Sequence, residues 1–104
     1  MQYSFDFYHY QHENVANPFC IRIVKHCDTE KRPFMSLAAY VYCETVDNAS
    51  HAFSVRSGDK FSIDGFAMDI WREGVRNNVA ISNDEYARLI DFITDVILDN
   101  RKPY

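Results

Sequence analysis

The chain has 104 residues, 47% of them hydrophobic, 15% aromatic and 25% charged, with a formal charge of −4 at pH 7. That length fits a single domain with one core. The acidic balance argues against a general polyanion binder, which needs clustered Lys and Arg, and no run approaches the roughly eighteen apolar residues of a membrane span.

From Tyr3 to Tyr10 the residues alternate, with Tyr3, Phe5 and Phe7 on one side and Ser4, Asp6, Tyr8 and Tyr10 on the other. That is the two-residue period of a half-buried strand. The segment NVANP at 14–18 supplies turn chemistry, and its proline keeps Asn17 out of helical geometry. A second strand follows over 19–26, with Phe19, Ile21 and Ile23 facing inward and Arg22, and Cys20 with it, facing outward. The charged loop CDTEKRP at 27–33 leads into FMSLAAYVYC, whose nearly continuous apolar character predicts a central strand covered on both faces. The turns DNAS at 47–50 and SGDK at 57–60 bound HAFSVR and a short final strand FSI. The expected sheet has about five strands within residues 2–63.

The period then changes. Phe66, Ala67, Ile70, Trp71, Gly74 and Val75 recur at helical spacing, predicting an amphipathic helix over about 64–77 with Ser62 or Asp64 as N-cap and Asn77 or Asn78 as its stop. Gly74 on the apolar face predicts a close approach to the sheet. SNDE at 82–85 is a capping box opening a second helix over about 83–100. The apolar set of that helix, Tyr86, Leu89, Ile90, Phe92, Ile93, Val96, Ile97 and Leu98, is wider than one sheet-facing stripe requires. It is either sandwiched within the monomer or shared with another chain, so a homodimer through this helix is compatible with the sequence. Strands first and helices afterwards predict an α+β fold, with a mostly antiparallel sheet and both helices on one face.

The segment FYHYQHEN at 7–14 concentrates aromatic rings and imidazoles. His9, His12 and Glu13, joined by His26, Cys27 and Asp28 from the next strand, are the chain's best candidates for metal ligands. Their spacing matches no established pattern, and His9 and His12 point to opposite faces of an extended strand. No metal or cofactor is therefore expected. Cys27 beside His26 is the obvious nucleophile and base, yet adjacent strand residues face opposite sides, and no recognised catalytic motif occurs. Catalysis is not expected. The odd number of cysteines (Cys20, Cys27 and Cys43) and the absence of an export signal at the start suggest free thiols in a reducing cytoplasm.

Asp91, Asp95 and Asp99 fall on one stripe of the last helix, at a spacing where like charges repel. The last two also lie near the negative end of the helix dipole. Such a stripe opposes the helix that carries it, and uncompensated local conflict is a pointer to function. The expectation is a non-enzymatic protein–protein interaction module. In it, Asp91, Asp95 and Asp99, with exposed Tyr8 and Tyr10, dock on a basic surface of another protein, as an inhibitor or immunity-type protein does. The rival reading is a single-stranded nucleic-acid binder using Tyr8, Tyr10, Arg22, Lys25, Lys31 and Arg32. Against it, the element order is not the βαββαβ of an RNA-recognition module, and Tyr residues more often pack across strands.

Overall fold

The computed structural model describes residues 3–12, 19–28, 32–44, 49–57, 62–98 and 100–103. Four strands, β1 (Tyr3–His12), β2 (Phe19–Asp28), β3 (Arg32–Glu44) and β4 (Ala49–Arg56), form an antiparallel meander in the order β1-β2-β3-β4. Two helices follow, α1 (Ile63–Arg76) and α2 (Asn83–Ile97). The fold is α+β, with four strands among the described residues where five were expected. FSI forms no strand there: Ser62 is the N-cap of α1 and Ile63 its first residue, while Phe61 lies outside the described residues. The Ser62 side chain accepts from the Gly65 amide at 3.0 Å, so a cap has taken the residues read as a strand end. The turn segments at 14–18, 29–31 and 58–60 also lie outside the described residues.

Alternation assigns each strand residue to a face. Tyr8, Ile21, Ile23, Leu37, Ala39, Val41, Phe53 and Val55 point to the inner face, where they meet Phe66, Ala67 and Ile70 of α1 and Leu89, Phe92, Ile93 and Val96 of α2. Each fully buried aliphatic or Phe side chain there contributes about 1.5–3 kcal/mol through removal from water. Val79 and Ile81, in the connection between the helices, complete the core. The broad apolar set of α2 is thus largely taken up within the chain, with Leu98 left exposed. In α1 the buried stripe is narrower than expected. Phe66, Ala67, Ile70 and Gly74 are buried, but Met68, Trp71 and Val75 are exposed.

Gly74 does permit a close approach, although to a different neighbour from the one predicted. A Cβ there would stand 2.7 Å from the carbonyl oxygen of Val79, in the chain leaving the helix, rather than against the sheet. Asn78 makes that reversal with φ of 60°, a left-handed conformation that Asn tolerates. A register shift between Val41 and Tyr42, with Val41 opposite Phe53 and Tyr42 opposite His51, marks a bulge at Ala52.

The reading of β3 as covered on both faces is corrected. Its inner residues are buried by the helices, while Ala38, Tyr40 and Tyr42 on the outer face are only half-buried. Both helices pack on one side of the sheet, so the other side has no second layer among the described residues.

Candidate functional site

The register of the sheet arranges the uncovered face in rows. Phe5 lies opposite His26, which lies opposite Ser36; Phe7 lies opposite Val24, then Ala38, then Arg56. The next row runs His9, Arg22, Tyr40, Ser54, and the one after it Cys20, Tyr42, His51. Successive rows are about 7 Å apart and neighbouring strands about 4.8 Å apart. Small residues at Val24, Ala38 and Ser36 therefore sit among larger ones. The result is a cleft of about 340 Å³ lined by Phe5, Val24, His26, Ser36, Tyr40 and Arg56, among others.

Ring contacts order this surface. Phe5 and His26 stack with centroids 4.6 Å apart and planes 11° from parallel. The Arg22 guanidinium lies 4.8 Å from the centre of the Tyr42 ring, a cation–π contact. His51 meets Tyr42 edge-on at 5.5 Å and Tyr40 at 6.4 Å. Phe5 and Phe7 remain 55% and 52% exposed, unusual for phenylalanines on a sheet. Cys20 belongs to this face by register, as expected, and is buried.

The tyrosines expected to project toward a partner face the other way. Tyr8 is 2% exposed and belongs to the core. Tyr10 is half-buried against Phe92, and its hydroxyl donates to the Glu85 carboxylate. The expectation that Tyr8 and Tyr10 are exposed contact residues is therefore corrected. The reason is that β1 pairs Tyr8 with Ile23 and Tyr10 with Ile21, which fixes them on the helix side.

Glu85 joins several elements. Its amide donates to the Ser82 side chain at 3.2 Å, as the cap signal requires, while its carboxylate receives Tyr10 and pairs with Arg88 at 2.6 Å. Burial, and after it the hydrogen bond and negative charge of Glu85, push the Tyr10 phenol well above its usual range.

Lys25 also departs from expectation. Counted among the basic surface residues, it is 1% exposed on the inner face, and its Nζ donates to the Val96 carbonyl at 2.9 Å and the Ile97 carbonyl at 3.4 Å. A buried ammonium thus caps the C-terminal end of α2, where the helix dipole favours a cation. Its residues Asp91 and Asp95 are exposed and partly exposed, and Arg101 approaches Asp95 at 3.7 Å while covering the Phe92 ring. Arg88, a candidate partner for Asp91, is engaged by Glu85 instead. Asp99 lies outside the described residues, as does Lys31, and the side chains of Arg32, His12 and Cys27 do as well.

His9 and His26 share the outer face but belong to rows about 13 Å apart. Among the described residues no group of three or more His, Cys, Asp or Glu side chains could hold a metal ion. No helix there is long and apolar enough to cross a membrane. The exposed phenylalanines were absent from both sequence-based sites, whereas Arg22, above Tyr42, belonged to the rival nucleic-acid reading. The signal for them was Phe5 and Phe7 themselves, once β1 is placed at an edge with its tyrosines facing in. Comparisons with protein-family models, with curated proteins and with solved structures find no match.

Proposed function

We propose that this protein is a non-catalytic interaction module that contacts another protein through the uncovered face of its sheet. The observation that carries this reading is the more than half exposure of Phe5 and Phe7, side by side on a face that neither helix covers. Leaving two such rings in water forgoes the burial that stabilises Phe19 and Phe53 on the same sheet, an arrangement that suits a surface buried on association. Tyr40, Tyr42 and Arg22 extend the same surface with residue types enriched at the centres of protein interfaces. Masking a partner's working surface, as an inhibitor or immunity-type protein does, is the role best suited to a small module of this kind.

The acidic stripe of α2 has weaker support as the contact surface. Asp95 has a cation of its own molecule nearby in Arg101, and the Lys25 ammonium answers the dipole at the helix end. Part of the electrostatic conflict that recommended the stripe is relieved inside the chain. The nucleic-acid reading loses Tyr8 and Lys25 to the core and Tyr10 to its bond with Glu85.

Site-specific photocrosslinking in the native cell tests the assignment of the surface. A photoreactive residue replacing Phe7 is expected to yield a discrete protein adduct that the same residue at Asp91 does not. Adducts from position 91 alone, or none from position 7, would overturn the sheet face as the contact surface.

A further inference from the structure

We infer that the partner presents an acidic, extended segment to this face, with its carboxylates taken by Arg22 and Arg56 and one apolar side chain entering the cleft beside Arg56. The inference rests on the reading of the sheet face as the contact surface and adds the chemistry of what lies on it.

Charge is the first support. The chain carries 15 acidic against 11 basic residues, so an average surface patch should be acidic. Among the described side chains of the uncovered face the only charged groups are Arg22 and Arg56, accompanied by His9, His26 and His51. Asp6, the acidic residue of β1 with a described side chain, shares the parity of Tyr8 and sits opposite Lys25, on the inner side. The remaining described carboxylates are on the helices and their caps, such as Asp64, Asp69, Glu73, Asp84 and Asp91. The described side chains of this face thus carry a charge opposite to the net charge of the molecule, which makes the patch complementary to an anionic partner.

The shape of the face supports a peptide segment. By register Arg56 closes one end of the row Phe7, Val24, Ala38, and Arg22 stands one row along on β2. Beside Arg56 lies the cleft of about 340 Å³, with Val24 and Ala38 as its floor and Phe5, His26, Tyr40 and Arg56 as its walls. That volume accommodates one or two side chains. An extended segment projects alternate side chains to one side about 7 Å apart, the spacing of the rows beneath it. Arg22 is already held flat over Tyr42, so less side-chain freedom is lost when it takes a carboxylate.

Nucleic acid is the competing anion, and composition disfavours it. The described side chains of the face include no lysine, whereas binders of phosphate backbones draw on Lys and Arg together, and the net charge of −4 would repel a polyanion at longer range. Aromatic residues and arginine, with neither lysine nor carboxylate among the described side chains, fit the profile of a protein interface centre.

The test follows the backbone amide NMR signals of the isotope-labelled chain during titration with three probes. They are a short peptide alternating Glu and Leu, its counterpart alternating Lys and Leu, and a short single-stranded oligothymidylate. The Glu peptide is expected to shift the amides of Arg22, Val24, Ala38 and Arg56, with binding weakened at least about tenfold in the Arg22→Ala/Arg56→Ala variant. Equal binding of the Lys peptide would overturn the inference, because charge would not be what is recognised. Shifts of these amides by the oligothymidylate and not by the Glu peptide would replace the acidic segment with nucleic acid. No shift by any probe, with crosslinking from position 7 intact, would likewise overturn the acidic segment while leaving the sheet face as the contact surface. Shifts confined to α2 in the presence of the Lys peptide would overturn both readings together.

Discussion

The two faces of the sheet reverse the usual distribution of residues. The inner face, sealed by two helices, holds an ammonium group at Lys25, whereas the outer face leaves the rings of Phe5 and Phe7 more than half in water. Each exception has its own resolution. Lys25 is buried because α2 ends above it with carbonyl groups that need donors, so desolvating the charge is offset by hydrogen bonds and by the helix dipole. The phenylalanines have no comparable compensation among the described residues beyond the stacking of Phe5 on His26, and that recommends them as contact residues. Burial alone therefore does not mark function; a departure from the rule matters when the molecule itself leaves it unresolved.

The largest expected effect comes from removing the inner exception. Lys25→Met keeps the length of the side chain but leaves the Val96 and Ile97 carbonyls without their charged donor. It is expected to destabilise the fold by about 2 kcal/mol, the scale of an unsatisfied buried polar group. Chemical denaturation compared with the parent chain measures this. An unchanged midpoint would show that the ammonium contributes no more than a hydrocarbon of its size, and that the end of α2 is satisfied in another way.

A smaller effect is expected where β1 meets α2. Tyr10→Phe deletes a donor to the Glu85 carboxylate, which Arg88 still pairs, at an expected cost of about 1 kcal/mol. The pH dependence has a definite sign. The folded-state phenol has its affinity for the proton raised above the usual value near 10, so the stabilisation is complete below about pH 10 and is lost as pH rises beyond it. The stability gap between the parent chain and Tyr10→Phe should therefore hold steady from neutral pH to about pH 10 and narrow above it. Denaturant midpoints taken across that range decide it, and a gap that widens with alkali would contradict the hydrogen bond.

What the sequence revealed divides along the range of the interactions involved. The Ser82 cap of α2 was legible because donor and acceptor lie three residues apart. The four strands and both helices followed from periodicity, which is also local, whereas the order of the strands in the sheet did not. The side to which β1 turns was not legible, because its two sets, Phe5 with Phe7 and Tyr8 with Tyr10, are both aromatic. Hydrophobicity ranks the phenylalanines as the better core, and the choice is reversed by partners far along the chain: Ile21 and Ile23 across the hairpin, and Glu85, 75 residues from Tyr10. Lys25 was misplaced for the same reason, since its acceptor on Val96 lies 71 residues away. The spacing of the acidic stripe of α2 is local, but the nearness of Arg101 to Asp95 and of Lys25 to the helix end was invisible until the fold placed them.

The smallest change in stability is expected from the most conspicuous residues. Phe5→Ser combined with Phe7→Ser removes two rings that are already more than half exposed, so the cost should stay within about 0.5 kcal/mol for each position, as for surface substitutions away from caps and buried networks. The Phe5–His26 stack sets the upper end of that range, since a stacked pair contributes about 0.5–1.5 kcal/mol when well packed and less where solvent reaches it. A destabilisation approaching that of Lys25→Met would mean that these rings support the sheet from its outer side, and their exposure would then have a structural explanation. Retained stability together with loss of the position-specific adducts in crosslinking from a neighbouring site such as His9 would separate contact from folding. The outer face would then be a surface that the fold displays without depending on it.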